Sequence, residues 1–144
     1  MSASAPAGLA RRLAGMVYES LIVLALLLVS SLAFLLVSPD AAATAVRPLF
    51  QAYLLGIIGL YFTWFWTHGG QTIAMRAWRL RLLRRDGAPL SWRDAWLRFA
   101  LAIPSVGLVG LGLLWSFADR NRQFLHDRLA GTTIVRTDDP AAAP

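Results

Sequence analysis

Hydrophobic residues are grouped in three long runs along the chain, at residues 16–37, 49–67 and 99–118. The first run contains one charged residue, Glu19, and the other two contain none. A helix rises about 1.5 Å per residue, so the first run would cover roughly 33 Å, which matches the hydrocarbon core of a bilayer. The pattern therefore predicts membrane-embedded helices at about 13–37, 49–67 and 99–118.

The composition supports a membrane protein. Hydrophobic residues make up 57% of the chain and charged residues 15%, and 144 residues are too few to bury three such runs in one water-soluble core. We therefore predict an all-α membrane protein with two transmembrane helices and a third, broken membrane segment.

The third run has two interpretations, because Pro and Gly interrupt it. These residues are Pro104, Gly107, Gly110 and Gly112. A complete but kinked span is one interpretation, since lipid tolerates Pro and Gly in helices. The other is a re-entrant hairpin, which would bring "TTIVR" at 132–136 beside "RLRLL" at 79–83 as a short strand pair.

All 14 basic residues are arginines, and seven of them lie in the loop at 68–98. The positive-inside rule places this loop and the N-terminus in the cytoplasm, so we expect a multi-pass protein of the inner (plasma) membrane. Clustered arginines next to membrane segments bind anionic lipid headgroups. The loop arginines predicted to face lipid are Arg76, Arg79, Arg81, Arg84 and Arg85.

The basic loop also carries local structure signals. The alternation in "WRLRL" at 78–82 predicts a strand that ends at the turn dipeptide Asp86-Gly87. Ser91 and Asp94 have the spacing of a capping box at a helix start. The helix that follows is predicted to lie at the membrane surface on an aromatic face of Trp92, Trp96 and Phe99.

The predicted membrane domain covers residues 11–137, between a flexible segment at 1–10 and a disordered tail at 138–144. A cleaved signal is the competing interpretation, since Arg11 and Arg12 precede the first run and "AAATA" at 41–45 resembles a cleavage site. The run is longer than the ~7–15 residues of a signal core and contains Glu19, which favours a retained helix.

Enzymatic chemistry has little support in this sequence. The chain has no cysteine, only two histidines, and no hydrolase, protease or nucleotide-binding motif, so we predict neither catalysis nor a metal or cofactor site. A pI of 11.3 would permit nucleic-acid binding, but the arginines lie where a membrane surface already explains them. We therefore expect no nucleic-acid partner.

The second run carries a stripe of small residues on one helical face. Its members are Ala52, Gly56, Gly59 and Thr63. Small residues let helix backbones approach closely in membranes, so we predict contact with the first helix or with a second subunit. The alternative is the ordinary small-residue content of a membrane helix.

Glu19 needs a partner, hydration or a proton, because a charged acid at mid-membrane costs on the order of 2.5–3.5 kcal/mol. Arg12 lies seven residues earlier on nearly the same helix face, within reach of its long side chain. Three interpretations are open: a structural ion pair, an ion- or proton-binding carboxylate, and an acid at headgroup level.

Asp127 is the second acidic candidate, with Arg120, Arg122 and Arg128 nearby in the sequence. The preferred interpretation is a solvated ion pair that contributes little. The alternative is a lid charge that docks on the site of Arg12 and Glu19.

Four segments resemble the RDD family of small bacterial membrane proteins: "RRLAGMVYE", "GGQT", "LRLLRRDGAPLSWRDAWLR" and "RQFLHDRLAGTTIV". The resemblance covers residues 8–137 and implies that Arg12 or Arg11 is the family arginine. It also implies that Glu19 stands at the first family aspartate and Asp127 at the second. The longer acid at position 19 keeps the charge but changes the geometry.

Two functions follow from these observations. The resemblance implies transport of an ion or small solute, with sodium/proton exchange among the family's proposed activities; Arg12, Glu19 and Asp127 would form the site, and a homo-oligomer would enclose the pathway. The alternative is an accessory or scaffold protein whose arginine loop binds anionic lipid or a partner membrane protein.

Overall fold

Two long apolar helices form the first half of the fold. The computed structural model describes residues 8–40, 43–107 and 125–137. Helix α1 is Leu9–Val37 and helix α2 is Arg47–Thr67, and both are long and apolar enough to cross a bilayer. The two predicted helices are therefore confirmed as long apolar helices, although each begins a few residues earlier than expected.

A lipid environment explains the outer surface of α1. Large apolar side chains are exposed along one side of it, every four residues: Leu24, Leu28, Leu32 and Leu36. Such a stripe is unfavourable in water and matches the apolar face that a membrane helix turns toward lipid.

A small two-stranded sheet lies beyond the end of α2. The short helix α3 (Ile73–Ala77) leads into strand β1 (Leu80–Arg84), which pairs antiparallel with strand β2 (Thr132–Arg136). The strand pair that the sequence suggested is confirmed, with Leu82 opposite Ile134. The fold is therefore mostly helical rather than all-α.

Helix α4 (Trp92–Gly107) joins two elements that the sequence treated separately. Its start is the predicted capping box: the Asp94 amide donates to the Ser91 hydroxyl at 3.2 Å, and the Ser91 amide donates to the Asp94 carboxylate at 3.1 Å. The helix continues through Pro104 to Gly107. The predicted surface helix is thus the first part of one longer helix.

Helix α4 runs antiparallel beside α2. Trp92 at its start meets Trp64 near the end of α2, and Phe99 further along meets Phe62. The face predicted to lie on the membrane surface therefore packs partly on another helix, and Phe99 is buried. A complete third span is not observed, and residues 108–118 of the predicted segment lie outside the described part.

The last short helix, α5 (Leu125–Leu129), packs against α4 and leads directly into β2. The hydrophobic core lies where α2, α4 and β1 meet. Its buried members are Trp66, Leu82, Leu90, Ala95 and Phe99. Of the predicted flexible ends, residues 1–7 and 138–144 lie outside the described residues, whereas Leu9 already belongs to α1.

The small-residue stripe on α2 packs against α4 at Gly59. A Cβ atom there would lie 2.9 Å from the Trp96 ring and 3.0 Å from Phe99. The Thr63 hydroxyl is buried and donates to the Gly59 carbonyl at 2.7 Å. The prediction that this part of the stripe contacts α1 or a second subunit is therefore wrong, because α4 covers it. No side chain larger than hydrogen fits at Gly59 between α2 and the rings of Trp96 and Phe99. Ala52 is exposed, and Gly56 faces open space.

Gly59→Ala should lower the free energy of unfolding by about 1–3 kcal/mol, because the added methyl group overpacks a contact between two aromatic rings and a backbone. Gly56→Ala is the matched control in the same helix, since its methyl group meets nothing within 4 Å. We expect the control to be neutral or slightly stabilising, as Ala favours helices over Gly. Thermal unfolding in detergent measures both, and equal effects would contradict the packing assignment.

Candidate functional site

The start of α1 presents three residues to the interior. Arg12, Gly15 and Glu19 are spaced three and four apart, so they lie on one helical face. Gly15 is buried where a Cβ atom would lie 3.2 Å from Leu80 of β1. This close approach brings the sheet against α1 and leaves the two charged side chains on either side of the contact.

Arg12 forms an ion pair with Asp127. Its Nη2 atom donates to Asp127 Oδ2 at 3.1 Å, and the two side chains are 2% and 1% exposed. Arg98 of α4 donates to the other carboxylate oxygen of Asp127. One buried acid therefore joins α1, α4 and α5, and we call Arg12, Arg98 and Asp127 the buried charge cluster.

The burial of Asp127 overturns its preferred interpretation as a solvated ion pair. A buried charge is stable only when it is paired and hydrogen-bonded, and here each carboxylate oxygen has a guanidinium donor. Arg98 also lies over the Trp66 ring, 4.2 Å from its centroid, in a cation–π contact. The sequence did suggest, as the alternative, that Asp127 would dock on Arg12.

Arg98 was missed as a site residue, because it was counted only among the loop arginines. A signal existed: in α4 it lies between Ala95 and Ala102 at helical spacing, and Ala95 is fully buried. An arginine on the buried face of a helix needs a carboxylate partner. Nothing in the local sequence identifies which carboxylate that partner is.

Glu19 is held by two hydroxyl groups. Tyr61 of α2 donates to its Oε1 atom at 2.7 Å, and Thr72 donates to Oε2. In the described part of the chain no salt bridge is formed by Glu19, and the counter-ion of Arg12 is Asp127. The two acids predicted for one site thus have different surroundings: Asp127 binds guanidinium groups and Glu19 binds neutral donors.

The "GGQT" segment positions Thr72 for this contact. Gly70 has a φ of +69°, and its backbone carbonyl accepts from the Leu82 amide at 2.7 Å, so the turn is fastened to β1. A side chain at this left-handed position would meet the Leu82 carbonyl. Gln71 donates to the Leu80 carbonyl at 2.7 Å. Thr72 itself caps α3 by accepting from the Met75 amide at 3.2 Å.

A cavity of about 500 Å³ lies between α1 on one side and α2 and α4 on the other. Its wall is mainly apolar, with Val23, Leu55, Ile58, Phe62, Phe99 and Ile103 among its members. The polar groups in the wall are Arg12, Glu19, Ser20, Thr72 and Arg98. A cavity of this size with a few convergent polar groups is typical of sites for small molecules.

The predicted lipid-facing arginines lie outside the cavity, in the segment between α2 and α4 at residues 68–91, which we call the arginine-rich connection. Arg76, Arg79, Arg84 and Arg85 are exposed, and Arg81 is half-buried with its Nε donating to the Gly69 carbonyl. Arg84 pairs at the surface with Asp86 and Asp94. Their contact with lipid stays a prediction. Among the described residues, no group of three or more His, Cys, Asp or Glu could hold a metal ion.

Comparison with protein-family models gives a match to the RDD family over residues 6–131. The matched range includes every member of the buried charge cluster, Glu19 and the "GGQT" turn. No curated protein and no solved structure gives a significant match.

Asp127→Asn should lower the free energy of unfolding by about 3–5 kcal/mol, because it leaves two buried guanidinium groups without their counter-ion. Asp86→Asn removes a carboxylate from an exposed pair with Arg84, whose side chains are 46% and 57% exposed. We expect this control to cost about 0–1 kcal/mol. Thermal unfolding in detergent compares them, and an Asp127→Asn protein as stable as the control would contradict the assignment.

Proposed function

The chain belongs to the RDD family of membrane proteins, and on that premise we propose that it exchanges a small positively charged solute for protons at Glu19. The observation that carries the proposal is the position of this carboxylate in the wall of a cavity between the long apolar helices, with neutral partners only in the described part. A carboxylate can hold either a proton or a cation, which is the chemistry that such an exchange needs.

The hydrogen bonds of Glu19 leave room for a ligand. A carboxylate has about four acceptor positions. The hydroxyls of Tyr61 and Thr72 occupy one on each oxygen, so a further position on each is available to a cation. Because these donors are uncharged, they orient the carboxylate without neutralising it.

The buried charge cluster supports the site without binding the solute. Asp127 engages both guanidinium groups, and the cluster fixes α5 and β2 against α1 and α4. We therefore assign Arg12 and Asp127 a structural role. This separates them from Glu19, although the sequence grouped all three in one ion site.

We further propose that the chain before α1 and the chain after β2 lie on the same side of the inner membrane, the cytoplasmic side. Strand β2 pairs with β1 in the arginine-rich connection, and Asp127 bonds Arg12 at the start of α1. This arrangement favours the re-entrant interpretation of the third segment over a complete span. The arginines of that connection support the cytoplasmic assignment.

An accessory role is the second candidate, and the exposed arginines of the connection favour it. Arg76, Arg79, Arg84 and Arg85 form a surface suited to anionic lipid or an acidic partner. In that role Glu19 would serve helix packing alone. Assembly into a homo-oligomer is compatible with both candidates and is an additional proposal.

Glu19→Gln should abolish cation-driven proton exchange in proteoliposomes that contain a pH-sensitive dye, because glutamine keeps the shape but cannot take up a proton. Pulses of sodium, potassium and benzyltrimethylammonium chloride test cations of different size. Asp40→Asn, a change of an acid in the turn after α1, is the matched control and should retain wild-type exchange. If none of the three cations drives proton exchange by the wild-type protein, transport at Glu19 is wrong and the accessory role is favoured. The same conclusion follows if Glu19→Gln exchanges protons as the wild type does.

The topology is tested by cysteine labelling, since the natural chain has no cysteine. In intact cells, an impermeant maleimide should label Ala45→Cys, at an exposed position in the turn between α1 and α2. It should label Asp86→Cys and Thr137→Cys only after the membrane is permeabilised. Labelling of Thr137→Cys in intact cells would show that the chain after β2 lies outside.

A further inference from the structure

We infer that the cavity binds an organic monocation with a bulky apolar body, its charge held by Glu19. This rests on the proposed role of Glu19 and adds the class of solute. The cavity volume of about 500 Å³ falls within the roughly 300–1,000 Å³ of sites that hold drug-sized ligands. A small inorganic ion would leave most of this space empty.

The wall of the cavity suits an apolar body rather than a hydrated ion. Val23, Leu55, Ile58 and Ile103 supply aliphatic surface that cannot replace the water molecules around a metal ion. The rings of Phe62, Phe99 and Trp66 also line the space. Aromatic faces attract organic cations, so the wall favours a ligand that is both apolar and positive.

The charge that a ligand meets in the cavity is that of Glu19. Arg12 and Arg98 also line it, but Asp127 engages both of them, and they are 2% and 5% exposed. Arg98 additionally stacks on Trp66. Glu19 is half-buried and binds hydroxyl groups, so its negative charge is available to a cation.

The position of the cavity allows entry from the bilayer. Leu55 of α2 and Ile103 of α4 line the cavity, and 47% and 45% of their surface is exposed. We place the opening of the cavity at these two side chains. A lipophilic cation dissolved in the membrane would therefore reach Glu19 without crossing the charged connection.

Binding of tetraphenylphosphonium and of tetraphenylborate tests the inference, because the two ions have nearly the same size and shape but opposite charge. The full chain in phosphatidylcholine nanodiscs is titrated with each ion, and empty nanodiscs correct for partition into lipid. We expect saturable binding of tetraphenylphosphonium, at least about tenfold tighter than that of tetraphenylborate. Glu19→Gln should remove this preference.

A pair of tryptophan substitutions in α4 tests the location. Ala102 lines the cavity, whereas Ala100 is exposed on another face of the same helix. Ala102→Trp should abolish tetraphenylphosphonium binding by occupying space in the cavity that this bulky ion needs, and Ala100→Trp should bind as the wild type does. Equal binding by both variants would place the ligand elsewhere and overturn the inference.

The binding results also separate this inference from the proposed transport function. Preference for tetraphenylborate, or unchanged binding by Glu19→Gln, would overturn the organic-cation class even if inorganic cations drive proton exchange. Conversely, Glu19-dependent binding without any exchange would uphold the site and reject transport.

Discussion

The carboxylate of Asp127 holds distant parts of the chain together, because its two oxygens accept hydrogen bonds from Arg12 in α1 and from Arg98 in α4. Helix α5 and strand β2 have five residues each, and segments of this length are not stable in isolation. Their position therefore depends on contacts with the rest of the fold. The buried charge cluster is one of these contacts, and the pairing of β2 with β1 is another.

This arrangement divides the acids between two tasks. Both guanidinium groups bind Asp127, whereas Glu19 in the wall of the same cavity binds the hydroxyls of Tyr61 and Thr72. Asp127 is enclosed by permanent cations and is committed to structure. Glu19 is held by hydroxyl groups, which can rotate, so it is the acid to which the proposed exchange assigns the changing proton or cation.

Local features of the fold could be predicted from the sequence, and distant pairings could not. Run length predicted α1 and α2, the spacing of Ser91 and Asp94 predicted the start of α4, and alternation predicted β1. Strand β2 was expected only as the partner of β1 in the re-entrant interpretation. The burial of Asp127 depends on Arg12, 115 residues earlier, and nothing near either residue encodes that contact. The stripe at Gly59 illustrates the same limit, because helical periodicity identified the face but not the helix that covers it.

The longer acid at position 19 connects the cavity to the arginine-rich connection. Thr72 donates to Glu19 and accepts from the Met75 amide at the first turn of α3, so the carboxylate and the helix cap share one hydroxyl group. Hydrogen bonds in such a chain polarise one another. Under the proposed exchange, a proton or cation at Glu19 would weaken the acceptor that orients Thr72, and the change would reach the start of α3. Since Gly70 and Gln71 fasten the preceding turn to β1, Thr72 is positioned by the sheet on one side and contacts the carboxylate on the other.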